Sequence, residues 1–344
     1  MRKLASIKTI ADIRSIDGAD KICTYHVGGW TIVDSINKYK INELVIMIEI
    51  DSWVPNHIAP FLTKEGKEPK EYKGIKGEKI RSIKLRGQIS QGLLLPLSVL
   101  PNPSELSIGT DVTELLGIEK YEPPIPATIV GDARSFSWPI SKTDEVRVQL
   151  DDEYKFIETL TGRPYYISLK LDGTSSTFLI DPKDETFHVC GRNYSYKNKK
   201  SHSFWQIAER YNIEQGLRSV FDNGNNRIAI QGEIVGPGIQ KNPLGLNIPD
   251  LYIFNVVDIT TNTRFSLDMS RLIVEQLGLK FVPVLEIGSS FSYTVTDLLE
   301  KAQGKYIDHF PSAKSSQERE GIVIRDIGGT ISFKAINNQF LLKE

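Results

Sequence analysis

Lys170 and Asp172 are the residues whose types and spacing best suit covalent chemistry in this chain. In Tyr166-Ile167-Ser168-Leu169-Lys170-Leu171-Asp172-Gly173-Thr174-Ser175, alternation puts Ile167, Leu169 and Leu171 on one face of a strand and Ser168, Lys170 and Asp172 on the other. Gly173 permits a tight turn into a second strand, Ser176 to Ile180. A lysine at a strand end with a carboxylate two residues on suits an amine that must meet an anionic substrate near a divalent metal. The plainer alternative is a surface hairpin with an Asp-Gly turn. Lys-x-Asp-Gly fixes only three positions, so the case rests on the residues that follow.

Glu233 lies in the apolar run Arg227 to Gly238, where a carboxylate is costly unless it is paired or near a metal. Glu320 begins one strand and Lys334 lies inside the next, joined as a hairpin through Gly328-Gly329; they would add a metal-facing acid and a phosphate-facing cation. Phe254 shares one side of the strand Leu251 to Asp258 with Tyr252, as core or as a stacking surface for a base. Arg192 follows the strand His188 to Cys190 and suits a ribose or phosphate clamp, or is an exposed loop arginine. In Ser141 to Gln149 a helix-start signal combines with Lys142 and Arg147, which either face water on a capped helix or aim at a triphosphate.

The elements around these residues divide the chain in two. Residues 1 to about 118 read as short strands (Ala5 to Ile10, Ile22 to Val27, Trp30 to Val33, Leu44 to Ile50, Lys79 to Leu85, Gly92 to Leu95), which favours a small barrel, OB-like or SH3-like. Its basic run Lys73, Lys76, Lys79, Arg81, Lys84 and Arg86, opposed only by Glu78, is a solvated strand face or a phosphate-tracking groove. Leu85-Arg86-Gly87 with Ser90-Gln91-Gly92-Leu93-Leu94 resembles the tRNA-binding OB domains appended to some synthetases, which favours RNA. Residues 121–139, with Glu122-Pro123-Pro124-Ile125-Pro126, Gly131 and Ser135, have linker chemistry. Beyond the linker, residues 140–344 mix strands with helices at Ser203 to Phe221, Leu267 to Leu277 and Thr294 to Gly304, and Phe281 to Val284 reads as an edge strand because of Pro283.

At 344 residues with 40% hydrophobic and 25% charged, there is length for two domains. A formal net charge of −1 argues against a polybasic coat protein but leaves room for a local basic groove. Only Cys23 and Cys190 are present, which indicates neither a zinc site nor a disulfide framework and suits an intracellular, soluble protein. No apolar stretch approaches the roughly 18 residues that span a bilayer.

Taken in order, Lys170-Leu171-Asp172-Gly173, Gln231-Gly232-Glu233, Tyr252-Ile253-Phe254, Glu320-Gly321-Ile322-Val323 and Ser332-Phe333-Lys334 resemble motifs I, III, IIIa, IV and V of the ligase and mRNA-capping superfamily. Within it the chain resembles ATP-dependent RNA ligases with an N-terminal OB domain. That likeness extends to Lys84-Leu85-Arg86-Gly87-Gln88-Ile89-Ser90-Gln91-Gly92 and Ile140-Ser141-Lys142-Thr143-Asp144-Glu145, and so covers nearly the whole sequence. DNA ligases and capping enzymes place an OB domain after motif V, whereas ten residues follow Lys334 here, which disfavours both. Motif V commonly holds a second lysine where this chain has Ile336; Lys343 or Arg147 would take its place.

The resemblance implies an α+β protein: an OB-like β-barrel over 1–120, then a mixed α/β nucleotidyltransferase domain over 140–344 built on antiparallel sheets. It implies that Lys170 attacks the α-phosphate of ATP to give a lysyl-AMP, that AMP passes to an RNA 5′-phosphate, and that a 3′-OH displaces it. Asp172, Glu233 and Glu320 would hold Mg²⁺ or Mn²⁺; Lys334 would meet the α-phosphate, Lys142 and Arg147 the pyrophosphate, Arg192 the ribose or the RNA 5′-phosphate and Phe254 the adenine, with Gly173 lining the nucleotide. Lys79, Arg81, Lys84 and Arg86 would bind RNA. The expected role is RNA repair by a monomer, away from membranes. The alternatives are a capping guanylyltransferase, a DNA ligase, or a non-catalytic RNA-binding protein. A lysine ordinarily titrates near ~10.4, and Asp172 alone would favour its ammonium form, so a nearby divalent cation is required to invert the local field.

Overall fold

The computed structural model describes residues 3–101, 106–122, 133–134, 139–199, 202–222 and 227–343. Most of the expected linker, including Pro123 to Pro126, Gly131 and Ser135, lies outside them. The chain forms two compact units. One comprises Met1–Pro124 with Gln149–Tyr154, the other Ile125–Val148 with Lys155–Lys343. Among the described residues no helix is long and apolar enough to cross a membrane.

The first unit is almost wholly β. Leu44–Ile48 is the centre of a three-stranded sheet between Ala5–Thr9 and Leu93–Pro96, with Ile48 opposite both Ala5 and Leu93. Asp12–Ile16, Ala19–Val27 and Trp30–Ser35 form a meander, and Ser52–Pro55 and Ile75–Lys79 sit inside a four-stranded sheet. Ile7, Tyr25, Trp30, Ile46, Ile48 and Leu94 are buried between these layers. Gln149–Tyr154 belongs to this unit: the Gln149 carbonyl accepts from Gly29 N–H at 3.2 Å and Lys8 Nζ lies 2.8 Å from Asp152.

Lys79 to Leu85 belongs to two strands rather than the one expected. Ile80 is buried and its backbone stays with the first partner, its N–H donating to the Ser52 carbonyl and its carbonyl accepting from Asp51 N–H. The chain then leaves for a separate hairpin, Ser82–Leu85 with Gln88–Gln91, closed by Arg86 and Gly87 at positive φ.

The second unit is built on two sheets. The larger runs through Phe187–Cys190, Thr174–Ile180, Ile228–Val235 and Asp250–Asp258, with antiparallel pairing along this stretch. Apolar faces of the helices Ser203–Arg210, Ile213–Asp222 and Leu267–Gln276 join its core through Phe204, Ile207, Leu217, Ile273 and Val274. The smaller sheet has the order Val146–Arg147, Ser332–Ile336, Gly321–Asp326, Tyr165–Lys170, Val284–Gly288. A third cluster, Leu169, Leu171, Val235, Val282, Tyr306 and Phe310, draws residues from both sheets.

Three local readings are refined by the structure. The periodic run from Ser203 is two helices, because Asn212 takes a left-handed φ of 49° that ends the first. Phe281 to Val284 is not one edge strand: Lys280–Phe281 pairs with Asp250–Asp258, and Val284–Gly288 pairs with Tyr165–Lys170. Pro283, which has no N–H to give a ladder, marks the change of sheet. Ser141 starts no helix. Its N–H donates to Asn262 Oδ1, Thr143 Oγ1 bonds Ser175 Oγ, and the chain continues as a strand at Val146–Arg147. The capping box at Thr294 and Asp297 does form, opening the helix Val295–Lys301.

Candidate active site

Lys170 is the last residue of its strand and pairs with Gly321, the first of the neighbouring one. Since Glu320 immediately precedes Gly321, this register brings both side chains to the same sheet end, and Lys170 Nζ lies 2.8 Å from Glu320 Oε1. The lysine side chain is 24% exposed, so it is sheltered rather than aimed into bulk water. Burial alone would lower its pKa, but Glu320, Glu233 and Asp172 outweigh that, and the ammonium is held above its ordinary range.

The larger sheet contributes Glu233, whose Oε1 accepts from Gly173 N–H at 3.2 Å. Burial, then the nearby charges of Glu320 and Asp172, push Glu233 up to about 8 against the downward pull of Lys170. Gly173 is needed for room rather than for an unusual φ: a Cβ there would lie 2.4 Å from the Ile234 carbonyl and 2.8 Å from Glu233 Cγ. The turn and the glutamate therefore fit together only without a side chain.

Phe254 sits where the strand register shifts, since Gln231 faces Asn255 while Gly232 faces Ile253. Such a bulge re-aims a side chain. The Phe254 carbonyl is fixed by Arg325 Nη1 at 2.9 Å, and its ring packs beside the cluster that joins residues of the two sheets. Arg325 is 2% exposed and also bonds Glu145 Oε1 at 3.0 Å and Ser332 Oγ at 2.8 Å. Arg264 reaches the same Glu145 oxygen at 3.4 Å. Burial would raise the Glu145 carboxyl, but Arg325 and Arg264 hold it below its ordinary value.

Lys334 faces Arg147 in a parallel register. Burial, then the charges of Arg147 and Lys170, lower Lys334 to about 7. Arg147 is buried, so the solvated position on a capped helix does not apply to it. Lys142 and Arg192 are at a more exposed place, where Lys142 Nζ donates to Asn193 Oδ1 at 3.0 Å and Arg192 Nη2 lies 2.6 Å from Asp144. Of these residues only Lys142 also lines a cavity of about 280 Å³ beside Gln231, Arg264 and Thr330.

Asp172, Glu233 and Glu320 are hard oxygen donors around one ammonium, and burial, with the charges of Glu320 and Asp172 added to it, raises Glu233. This donor set suits a hard divalent cation. Among the described residues, however, the group whose ligand atoms all lie within 4.8 Å is Asp181, Asp184 and His188, on the hairpin away from Lys170. The three site carboxylates thus suit a cation that keeps much of its water.

The basic run of the first unit is less uniform in space than in sequence. Lys73 lies 3.3 Å from Glu119, Lys76 lies 3.7 Å from Glu68, and Lys79 lies 3.0 Å from Asp51 with its ammonium over the Tyr121 ring. Arg81, Lys84 and Arg86 are exposed and make no ion pair among the described residues.

Sequence reasoning passed over Tyr306 and the Glu145–Arg325 pair. The Tyr306 hydroxyl donates to the Lys170 carbonyl at 3.0 Å and accepts from Asp172 N–H at 2.7 Å and Glu320 N–H at 3.2 Å. No motif signals a tyrosine so far along the chain. Arg325 did carry a signal, a charge inside an otherwise apolar strand, of the kind that singled out Glu233.

Residues 163–341 match a family model described as RNA ligase, and residues 4–97 match an OB-fold domain model. This decides for the OB fold over the SH3-like barrel. A search of the curated proteins gives no match. Among solved structures, a mutant RNA ligase of Naegleria gruberi with AMP and Mn is similar at 35% identity and a TM-score of 0.88, over 100% of this chain and 99% of that one. The Naegleria gruberi RNA ligase with pyrophosphate is similar at 36% identity and a TM-score of 0.87, again over 100% and 99%. Another mutant, with ATP and Mn, gives 35% and 0.87 over 99% of each chain. These likenesses favour RNA ligase over the capping, DNA-ligase and non-catalytic alternatives. The ordered motifs, the two-sheet site and the whole-length likeness agree, and the chain belongs to the RNA ligase family.

Proposed function

We propose that the protein is an ATP-dependent RNA ligase in which Lys170 carries the nucleotide. The observation that carries this reading is the Lys170 ammonium held 2.8 Å from Glu320, within the field of Glu233 and Asp172. Related ligases solved with ATP, AMP, Mn or pyrophosphate support it.

In this reading the Lys170 ammonium gives up a proton to solvent, and the lone pair of the resulting amine forms a bond to the α-phosphorus of ATP. The bond to the bridging oxygen breaks, and pyrophosphate leaves with the electron pair. A divalent cation, Mg²⁺ or Mn²⁺, supplies charge neutralisation that favours loss of the lysine proton and offsets charge at the α-phosphate. Asp172, Glu233 and Glu320 would hold it, largely through water. Lys334 and Arg147 neutralise the phosphates, Lys142 and Arg192 meet the outer phosphates, ribose or incoming RNA, and Phe254 stacks on adenine beside the Gly173 turn. An RNA 5′-phosphate oxygen then attacks the phosphorus of the lysyl-AMP, breaking the phosphorus–nitrogen bond and returning the electron pair to Lys170; a 3′-OH oxygen, losing its proton to solvent, attacks the activated 5′-phosphate, forming the phosphodiester and releasing AMP.

The domain division belongs to the same reading: residues 1–120 grip RNA, 121–139 link, and 140–344 carry the chemistry. Arg81, Lys84 and Arg86 track the RNA backbone, with Lys79 at the base of their hairpin. A monomeric intracellular enzyme that seals broken ends or nicked duplexes in RNA repair fits these parts. The test is incubation with ATP and Mg²⁺ followed by peptide mass analysis, which should find AMP on the peptide containing Lys170 and none on Lys170→Ala. A wild-type protein that forms no adduct, or a variant that still forms one, ends the proposal.

A further inference from the structure

We propose that Tyr306 is a positioning residue that sets Lys170 and Glu320 in register for nucleotide transfer; the inference rests on the reading that Lys170 is the nucleophile. A phenolic hydroxyl has one proton to give and two lone pairs to accept with, and all three are used here on backbone groups of the site. It donates to the Lys170 carbonyl and accepts from Asp172 N–H and Glu320 N–H. These groups lie where the ladder ends, since Lys170 opposite Gly321 is the last pair between the two strands. One oxygen thus ties the exit of the lysine strand to the entry of the glutamate strand.

The ring that carries this oxygen has no freedom to follow the strands if they drift. Tyr306 is 0% exposed and packs with Leu169, Leu171, Val235 and Phe310. Its N–H donates to the Gln317 carbonyl at 3.1 Å, and its carbonyl accepts from Phe310 N–H at 2.8 Å. Next to Glu320, the buried Arg319 caps the end of the helix Val295–Lys301 by donating to the carbonyls of Lys301, Ala302 and Gln303 at 2.5, 3.1 and 2.6 Å. Glu320 is therefore held on one side by a capped helix and on the other by the tyrosine. Burial keeps the hydroxyl protonated at any working pH, so its donor role toward Lys170 is constant.

Removing the oxygen leaves three backbone groups to find other partners and lets the two strand ends slide. Small displacements of reacting groups are expensive in rate, and partners that orient site ligands are typically worth about 10- to 100-fold. Tyr306→Phe should slow single-turnover adenylylation of Lys170 at saturating ATP and Mg²⁺ by about that factor, with half-saturation for ATP unchanged.

The control is Tyr165→Phe. That hydroxyl bonds Glu286 at the opposite end of the same strand, so its loss costs the sheet a comparable hydrogen bond far from Lys170. It should leave the rate as it was. Wild-type rates in Tyr306→Phe, or equal slowing in Tyr165→Phe, would overturn the proposal. Should Tyr306→Phe fail to fold, Phe310→Leu loosens the ring that packs edge-on against Tyr306 while sparing the hydroxyl. A slower transfer step there, with ATP half-saturation unchanged, supports the assignment, and an unchanged rate rejects it. Absence of the adduct on wild type would instead sink the underlying reading, so the two failures are distinct.

Discussion

Arg147 and Lys334 face each other as partners in the parallel pair of short strands that ends the smaller sheet. Burial disfavours the ammonium, and repulsion from the neighbouring Arg147 adds to it, so Lys334 is brought down to about 7. Near pH 8 the free protein therefore holds Lys334 largely neutral. A bound triphosphate favours the ammonium, so binding draws a proton from solution. Calorimetry with α,β-methylene-ATP in buffers of different ionisation enthalpy should register proton uptake at pH 8 that is largely absent in Lys334→Ala. Equal uptake by both proteins would show that another group titrates.

The same pair accounts for Ile336. The side chain at that position is buried, and Lys343 lies elsewhere, donating to the Ser316 carbonyl at 3.0 Å. Arg147 is the cation beside Lys334, so Arg147→Ala should slow adenylylation by at least about 10-fold, whereas Lys343→Ala should leave it near wild type. Single-turnover rates for the two variants decide between them.

Glu233 makes the metal-free protein sensitive to pH in the opposite sense to an ordinary carboxylate. Its folded pKa of about 8 stands above the ordinary 4.5, so between these values the folded state binds more protons than the unfolded one. Stability from this group is fully present below about 4.5 and falls as pH rises toward 8. Glu233→Gln should remove that fall and make the metal-free protein more stable at pH 8 by about 1–3 kcal/mol, with little change at pH 4.5. Urea titrations in chelator at the two pH values test this; a variant less stable at pH 8 would mean that Glu233 is ionised and well paired there.

The site was legible where chemistry interrupts pattern. Lys170 and Asp172 fell together on the polar face of an alternating strand, Glu233 broke an apolar run, and Glu320 and Lys334 fell on a hairpin whose register the turn fixes. What stayed hidden depends on distant chain segments. Tyr306 meets Lys170 across 136 residues, and nothing local to Gly304-Lys305-Tyr306 announces it. The Ser141 stretch carries a cap residue whose hydrogen bonds go to Asn262 and not to a helix, a tertiary partner overriding a local preference. In the first unit, Lys79 to Leu85 reads as one short strand, yet the consecutive polar residues Arg81 and Ser82 put Ile80 out of phase with Ile83 and Leu85, and the chain divides there between two sheets.

The hairpin Ser82–Leu85 with Gln88–Gln91 separates the roles of the basic residues. Lys79 is engaged with Asp51 and Tyr121, whereas Lys84 and Arg86 are exposed near the turn. Replacing Lys84 and Arg86 together by alanine should weaken RNA binding and reduce the slope of log K against log salt by about 1–2, as expected for one or two lost phosphate contacts. Self-adenylylation should continue at the wild-type rate. An unchanged slope would move the RNA path off this hairpin.

Arg325 and Glu145 form a buried ion pair behind the Phe254 bulge, and the pair is asymmetric in what its loss would do. Arg325 holds Glu145, Ser332 and the Phe254 carbonyl at once, so Arg325→Met strands a buried carboxylate and frees the bulge. Breaking one partner of a buried pair typically costs about 3–5 kcal/mol. Glu145→Gln keeps a hydrogen-bond acceptor for Arg325 and should cost less. If Phe254 stacks on adenine, Arg325→Met should also raise the ATP concentration for half-maximal adenylylation, because the bulge that aims the ring has lost its anchor. Thermal melts with ATP titrations of both variants test this. A destabilised Arg325→Met with unchanged ATP dependence would confine the pair to folding, and a stable one would mean that the cluster repacks without its charge.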